Sequence, residues 1–455
     1  MQAHASPHDD REKTVATEDL FFSTTDRRGV IEQCNCVFVR ISGYSRDELA
    51  GKPHNIVRHP DMPGGAFRWI WDRLAAGRSA GAYVKNRAKD GSAYWVFAVL
   101  SPVPSGYLSV RMAPRGPLFD VVRQVYAEAV AAEREAVRTR GTGRRDAAGL
   151  GLAAIETALG RHGFASLDAF ALDALPAEVS ARRHLVTTAF ARPAHGVIGE
   201  VLGGAGALDE LLGGLVDRLT AYQNLCDRLA ATSSTVLDIT ERLAGSVAAA
   251  QHASELVADS APTLANVARV MAAPMGDAGA ALSRLGARLG RLRTDVAELR
   301  FRISLARVYN DMVAAFAAEV IDNAAPPDSL HAVPLLCHAA QAGFLEMSEQ
   351  VRRVNEELRQ SADLVAEAGE LLETFRRFLG QWRNLVFRSR SDSSLRDELA
   401  TIDAEITASW DWMDMLRSLG REYRSAVIPF DAGLLGAHLD KMRGALGTSA
   451  PLSTG

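Results

Sequence analysis

The densest run of chemically capable side chains lies between Gly51 and Pro63, where Lys52, His54, Asn55, Arg58, His59 and Asp61 stand just ahead of Phe67, Trp69 and Trp71. Imidazoles, a guanidinium and a carboxylate beside aromatic rings can hold an anion, titrate near neutral pH or ligate a metal. A metal site built from His54, His59 and Asp61 uses ordinary ligand types, but no second cluster completes a set of four. A proline-braced surface loop accounts for the same residues with no ligand at all. The elements around the run must decide between these readings.

Aromatic and β-branched residues concentrate between residues 20 and 112, in short segments separated by turn signals. Phe21 to Thr25 and Gly29 to Gln33 read as paired strands across Asp26-Arg27-Arg28, and a short helix follows at Val37 to Ile41. Pro63 suits the first turn of a helix that carries Phe67, Ile70, Trp71 and Leu74 and ends at Gly77. Ala82 to Arg87, Ala93 to Leu100 and Tyr107 to Met112 then read as an antiparallel meander. Two strands, short helices and three strands match the order of a PAS fold.

After Pro117 the apolar period changes to steps of three and four. Leu118, Val122, Val125, Ala129, Ala132 and Ala136 predict a helix ending near Gly141. Residues 142–203, interrupted by glycines and prolines, predict short helices in a connector. Four heptad seams follow: Leu208 to Val257 with Ser233, Thr240 and Ser254 as polar interruptions, Leu282 to Val320, Val351 to Val386, and Leu395 to Val427. Turns near Ala272 to Gly276, Ala324 to Ser329 and Arg388 to Ser394 would make these an elongated antiparallel helical bundle, with Pro262 as first turn and Pro274 as a kink the alternative. The expected organisation is a tail at 1–19, a PAS domain at 20–115, a connecting helix at 116–141, a short-helix connector at 142–203, the bundle at 204–447 and a tail at 448–455. The fold class is α+β followed by all-α.

Composition limits the function classes. The net charge is -4, but residues 20–115 carry 14 Lys+Arg against 7 Asp+Glu, so a small basic domain precedes an acidic remainder. A globally basic nucleic-acid binder is excluded. Cys34, Cys36, Cys226 and Cys337 form no CxxC pair and no disulfide framework, which fits a reducing cytoplasm. Cys34 and Cys36 flank Asn35 and read as buried small residues or as a thiol sensor. Met1 to Asp19 has no apolar core and no window nears 18 uninterrupted apolar residues, so neither a secretion signal nor a membrane span is expected.

Phe22-Ser-Thr-Thr-Asp26, Asn35, Ser42-Gly-Tyr44, Pro53-His-Asn55, Val57-Arg-His-Pro-Asp-Met-Pro63, Phe67, Val84-Lys-Asn-Arg87, Tyr94-Trp-Val96 and Gly106-Tyr107 together resemble the sensor PAS domain of bacterial aerotaxis receptors. The resemblance covers about residues 20–115. It implies FAD as cofactor and a redox, oxygen or energy signal, with cofactor-associated positions at Asn35, Arg58, His59, Asp61, Phe67, Trp71, Asn86 and Trp95. Tyr94 and Trp95 alternate on one strand, so only one of them can face a pocket. Phe67, Trp71 and Trp95 suit an aromatic slot, Asn35 and Asn86 directed amide bonds, and Arg58 and His59 an anionic group, with Asp61 orienting His59.

The hairpin from Ser101 to Gly106 is shorter than that family's, and its membrane anchor and chemoreceptor signalling hairpin have no counterpart in this sequence. Histidine-kinase, diguanylate-cyclase and helix-turn-helix motifs are likewise missing. The expectation is therefore not an enzyme but a cytoplasmic sensor. It would pair as a homodimer and signal through its helices to a protein partner, as in aerotaxis or chemotaxis. The alternatives are a cofactor-free PAS scaffold for dimerisation and docking, or a haem-binding gas sensor.

Overall fold

The computed structural model describes residues 11–185, 192–256, 262–388, 407 and 413–447. Strands β1 (Leu20–Asp26), β2 (Ile31–Cys34), β3 (Ala80–Arg87), β4 (Ala93–Val103) and β5 (Gly106–Met112) form one antiparallel sheet in the order β2-β1-β5-β4-β3. Between β2 and β3 lie α1 (Cys36–Ser42), α2 (Arg46–Leu49), a 3-10 turn at His54–Val57 and α3 (Gly64–Ala75). This is the five-stranded PAS sheet with short helices, and a long, mostly helical region follows it.

Local chemistry fixes the short helices. Asn35 caps α1 by accepting from the Phe38 N–H, and Gly43 ends it in the left-handed region at φ 72°. Ser45 and Glu48 form a reciprocal capping box at α2. Pro63 stands at the cap of α3, one position ahead of the predicted first turn, and supplies no side-chain bond to the helix.

The helical region comprises α4 (Phe119–Arg140), α5 (Arg144–Gly160), α6 (Leu167–Leu185), α7 (Gly196–Leu256), α8 (Pro262–Ile321), α9 (Val333–Arg388), α10 (413–425) and α11 (Ala432–Gly447). Gly141 closes α4 with a left-handed cap. No turn occurs at Ala272 to Gly276. Helix α8 starts at Pro262 and continues through residues 272–276 to Ile321. The side chains of Ser233, Thr240 and Ser254, and seam residues Leu395, Leu399, Ile402 and Ile406, lie outside the described residues.

The chain divides into two compact units: Met1–Val216 with Ala297–Met347 and Asp431–Gly455, and Asp217–Val296 with Ser348–Phe430. In the second unit Leu282, Leu285, Leu289, Val354, Leu358, Val365, Leu416 and Tyr423 are buried. Ion pairs Arg288–Glu357, Arg228–Glu422 and Arg417–Glu373 tie α8 to α9, α7 to α10 and α10 to α9 there.

In the first unit the PAS sheet is covered on both faces, which is why β1, β3 and β4 are buried along nearly their whole length. One face carries Phe21, Ser23, Val84, Asn86, Ala98, Ser109 and Arg111 toward α1 and α3. The opposite face carries Phe22, Tyr83, Trp95, Phe97 and Ser101. Phe119 packs on Tyr83 and Trp95, Phe170 on Tyr83, and Phe316 of α8 edge-on against Phe22 at 5.2 Å. Tyr309 of α8 hydrogen-bonds Ser101. Glu178 of α6, fully buried, accepts from the Tyr83 hydroxyl at 2.7 Å and the Arg115 N–H at 2.6 Å.

Candidate functional site

Between the sheet and α3 lies a cavity of about 380 Å³, within the range of about 300–1,000 Å³ typical of small-molecule sites. Ile70, Val84, Ala98 and Leu100 give it apolar walls, Phe67 and Trp71 enter from α3, and Asn86, Ser109, Tyr107, Arg111, His54 and Arg58 supply polar atoms. Trp71 is partly exposed, packs edge-on against Tyr107 at 5.3 Å, and lies over Gly29, whose φ of 78° and missing side chain leave room for the indole.

The polar groups are not all satisfied by protein. Ser109 Oγ is buried with no hydrogen-bond partner. The buried Asn86 carries no side-chain hydrogen bond among the described residues, although its backbone bridges to Arg58. Arg111 is buried and meets no carboxylate among the described residues: its guanidinium reaches Ser23 Oγ at 3.2 Å and His54 Nε2 at 2.6 Å. Burial lowers its pKa to about 10, so it remains a cation at neutral pH. Burial, and then the Arg111 charge, hold His54 well below its usual pKa, which keeps the imidazole neutral and able to accept from Arg111.

Arg58 lies over the Phe67 ring at 4.4 Å and donates to the Met62 carbonyl at 3.1 Å. Its pKa is lowered by burial, with Glu133 acting in the opposite sense and Arg144 in the same sense. A cavity with two arginines in or at its wall and free amide and hydroxyl groups is built to receive a planar ligand with acceptor edges and negative charge.

Of the eight positions expected from sequence, the fold gathers Arg58, Phe67, Trp71 and Asn86 at the cavity. The other four are placed elsewhere. Asn35 Oδ1 accepts from Phe22 N and Phe38 N, while Nδ2 donates to the Leu20 carbonyl and, at 3.4 Å, to Glu319 of α8. His59 is buried with Nδ1 accepting from the Asp61 N–H at 3.1 Å, so the backbone of Asp61 orients the ring more directly than its carboxylate at 3.7 Å. The Asp61 carboxylate pairs instead with Lys85 and with Arg134 of α4. Trp95 projects from the face of the sheet away from the cavity, against Phe119 and Tyr126, and its neighbour Tyr94 takes the cavity side.

His54 turns to Arg111, so His54, His59 and Asp61 do not converge as metal ligands. Burial pushes the Cys36 thiol up to about 11, which leaves it protonated at neutral pH. Sequence reasoning named His54 only as a possible metal ligand and did not number Arg111, Ser109 and Tyr107 among the cofactor positions. The signal was the alternation Tyr107, Ser109, Arg111, three polar-capable residues on one face of a strand that ends in a buried domain.

Residues 31–109 match the model of the PAS fold family. This segment is a PAS domain. It is related to two curated bacterial proteins. The aerotaxis receptor of Escherichia coli is 43% identical over 117 residues, 24% of this chain and 23% of the receptor. The biofilm dispersion protein BdlA of Pseudomonas aeruginosa is 32% identical over 82 residues, 18% of this chain and 20% of that protein. The chain thus spans less than a quarter of the length of either relative. Among solved structures, the PAS domain of a Colwellia psychrerythraea protein is 20% identical, with 21% of this chain and 85% of that one covered at a TM-score of 0.18. Among the described residues, no helix is long and apolar enough to cross a membrane.

Proposed function

We propose that this PAS domain is a flavin-binding sensor that takes FAD in the cavity beside α3 and reports redox state through the helical region to a protein partner. The observation that carries the reading is the set of polar groups facing one apolar cavity: Ser109 Oγ and the Asn86 amide, which have no protein hydrogen bond among the described residues, and Arg111, which is held by Ser23 and His54 rather than by a carboxylate. An isoalloxazine ring has acceptor and donor edges on a flat apolar body, which is what those groups and Phe67, Trp71, Ile70 and Leu100 would hold. FAD, when bound, supplies reversible electron and proton uptake. Arg111 and Arg58 hold positive charge against the ligand, neutral His54 keeps Arg111 in place, and the apolar walls exclude water. Asn35, His59, Asp61 and Trp95 act around the cavity through α1, α3 and the sheet. The 43% identity to the aerotaxis receptor over this segment favours the same ligand class.

The protein works by contact with a partner rather than by catalysis, as a homodimer in the cytoplasm. The test is the absorption spectrum of the purified full chain after incubation with FAD. Flavin bands that co-purify are expected. Replacing Arg111 with Met should weaken binding by about tenfold or more, the magnitude of one charged hydrogen bond. A Soret band would indicate haem, and a colourless protein that takes up no FAD would leave the cofactor-free scaffold.

A further inference from the structure

The segment from Arg58 to Gly65 has one end in the cavity and the other on the connector. Arg58 lines the cavity and donates to the Met62 carbonyl, one residue before the Pro63 cap of α3. The next two N–H groups, of Gly64 and Gly65, both donate to one carboxylate, Glu133 of α4, at 2.9 and 2.8 Å. Glu133 therefore supplies the helix cap that Pro63 cannot. Its neighbour Arg134 reaches back to the Asp61 carboxylate at 2.7 Å. Two consecutive side chains of α4 thus grip residues 61–65, which lead into α3, the helix that carries Phe67, Ile70 and Trp71 into the cavity.

The packing around this grip leaves little slack. A Cβ on Gly65 would overlap the Leu152 backbone of α5, and one on Gly151 would overlap the Glu133 carboxylate. Further along α3, Trp69 Nε1 donates to Asp168 of α6 at 3.0 Å, and Arg73 pairs with the same carboxylate. One face of α3 is cavity wall and the other is held by α4, α5 and α6. Any shift of α3 must be shared with those helices, because close-packed groups do not deform independently.

We propose that residues 58–65 are the relay from the cavity to the connector, with Glu133 and Arg134 on α4 as its receiver. An anionic ligand draws on the Arg58 guanidinium. Arg58 is fastened to the Met62 carbonyl and to the Phe67 ring, so its movement changes the alignment of the Gly64 and Gly65 N–H groups with Glu133. Coupling is reciprocal, so the grip of α4 on α3 also sets how well the cavity binds. This rests on an anionic ligand entering the cavity, as proposed above for FAD, but the mechanical link from Arg58 to α4 exists without it.

The experiment is hydrogen exchange on the full chain, read at residues 61–67 and 126–140, with no ligand, with FAD, and with FAD plus dithionite. FAD occupancy is followed by absorbance in parallel. In the wild type both segments should change together by about fivefold or more between ligand states, the lower end of measured couplings. In Glu133→Gln with Arg134→Gln, FAD affinity should change, but at saturating FAD the cavity should fill and residues 61–67 should still respond, while the response of 126–140 falls below about a third of its wild-type size. Exchanging the charges, Asp61→Arg with Arg134→Asp and Glu133 intact, should keep more of the response than Arg134→Asp alone. Bound flavin with an unresponsive α4 in the wild type, or an undiminished response in the double variant, would overturn the relay. A ligand-free arm separates the two readings: Arg58→Gln should by itself speed exchange at Gly64, Gly65 and residues 126–136, and no change there refutes the relay even if FAD never binds.

Discussion

Glu178 is the most informative single perturbation in the first unit, because one fully buried carboxylate holds α6 to β3 and to the link between β5 and α4. It accepts from Tyr83 Oη and from the Arg115 N–H. Hydrogen bonds to a charged group contribute about 1.5–3 kcal/mol each, and a buried donor left without a partner costs about 1–3 kcal/mol. Burial raises the Glu178 pKa, so part of that strength offsets the carboxylate's own desolvation. Glu178→Ala should therefore lower the local opening free energy by about 2–4 kcal/mol, which speeds amide exchange in residues 113–118 and α6 by about 30- to 1,000-fold. Glu178→Gln keeps the volume but turns an NH2 group toward a donor, and should fall between. Combined with Tyr83→Phe, the cycle should give a coupling energy of about 0.5–3 kcal/mol. An increase below about threefold in both segments for Glu178→Ala would show that the carboxylate is not what fastens α6 to the sheet.

Gly65→Ala should destabilise the first unit by about 1–3 kcal/mol or more, since its Cβ would overlap the Leu152 backbone; an unchanged urea midpoint would contradict that packing. Phe316→Ala should cost about 3–5 kcal/mol and raise exchange in β1, and its cycle with Phe22→Ala should show about 0.5–1.5 kcal/mol of coupling; strict additivity would mean that α8 does not pack on the sheet as described. The folded pKa of His54 lies well below the unfolded value near 6.5, so its contribution is complete above that pH and is lost as pH falls below it, by up to about 1.4 kcal/mol per unit. Thermal midpoints taken between about pH 7 and pH 5 should therefore fall less steeply in His54→Gln than in the wild type, and parallel slopes would remove His54 from the account.

Strand alternation and turn residues are local, so the order of β1 to β5 and the end of α4 near Gly141 were legible in sequence, whereas Asn35, read there as a cofactor amide, caps α1 in the structure. So were the buried positions of the seam from Leu282 to Val313, because a heptad repeats within one helix. Four of the positions that the resemblance singled out, Arg58, Phe67, Trp71 and Asn86, line the cavity. What a motif lacks is the face of each side chain and its partner far along the chain. Arg58 and Asp61 are three residues apart, yet one lines the cavity and the other pairs with Arg134, since the turn between them reverses their direction. Phe301, Tyr309 and Phe316 fall off the heptad seam. They are buried because α8 lies between other helices and the outer face of the PAS sheet, where a helix needs apolar residues all round. Local composition determined which elements form, and only the tertiary structure decided that this chain covers its own PAS sheet and grips α3 from outside, because such contacts join residues that no local pattern relates.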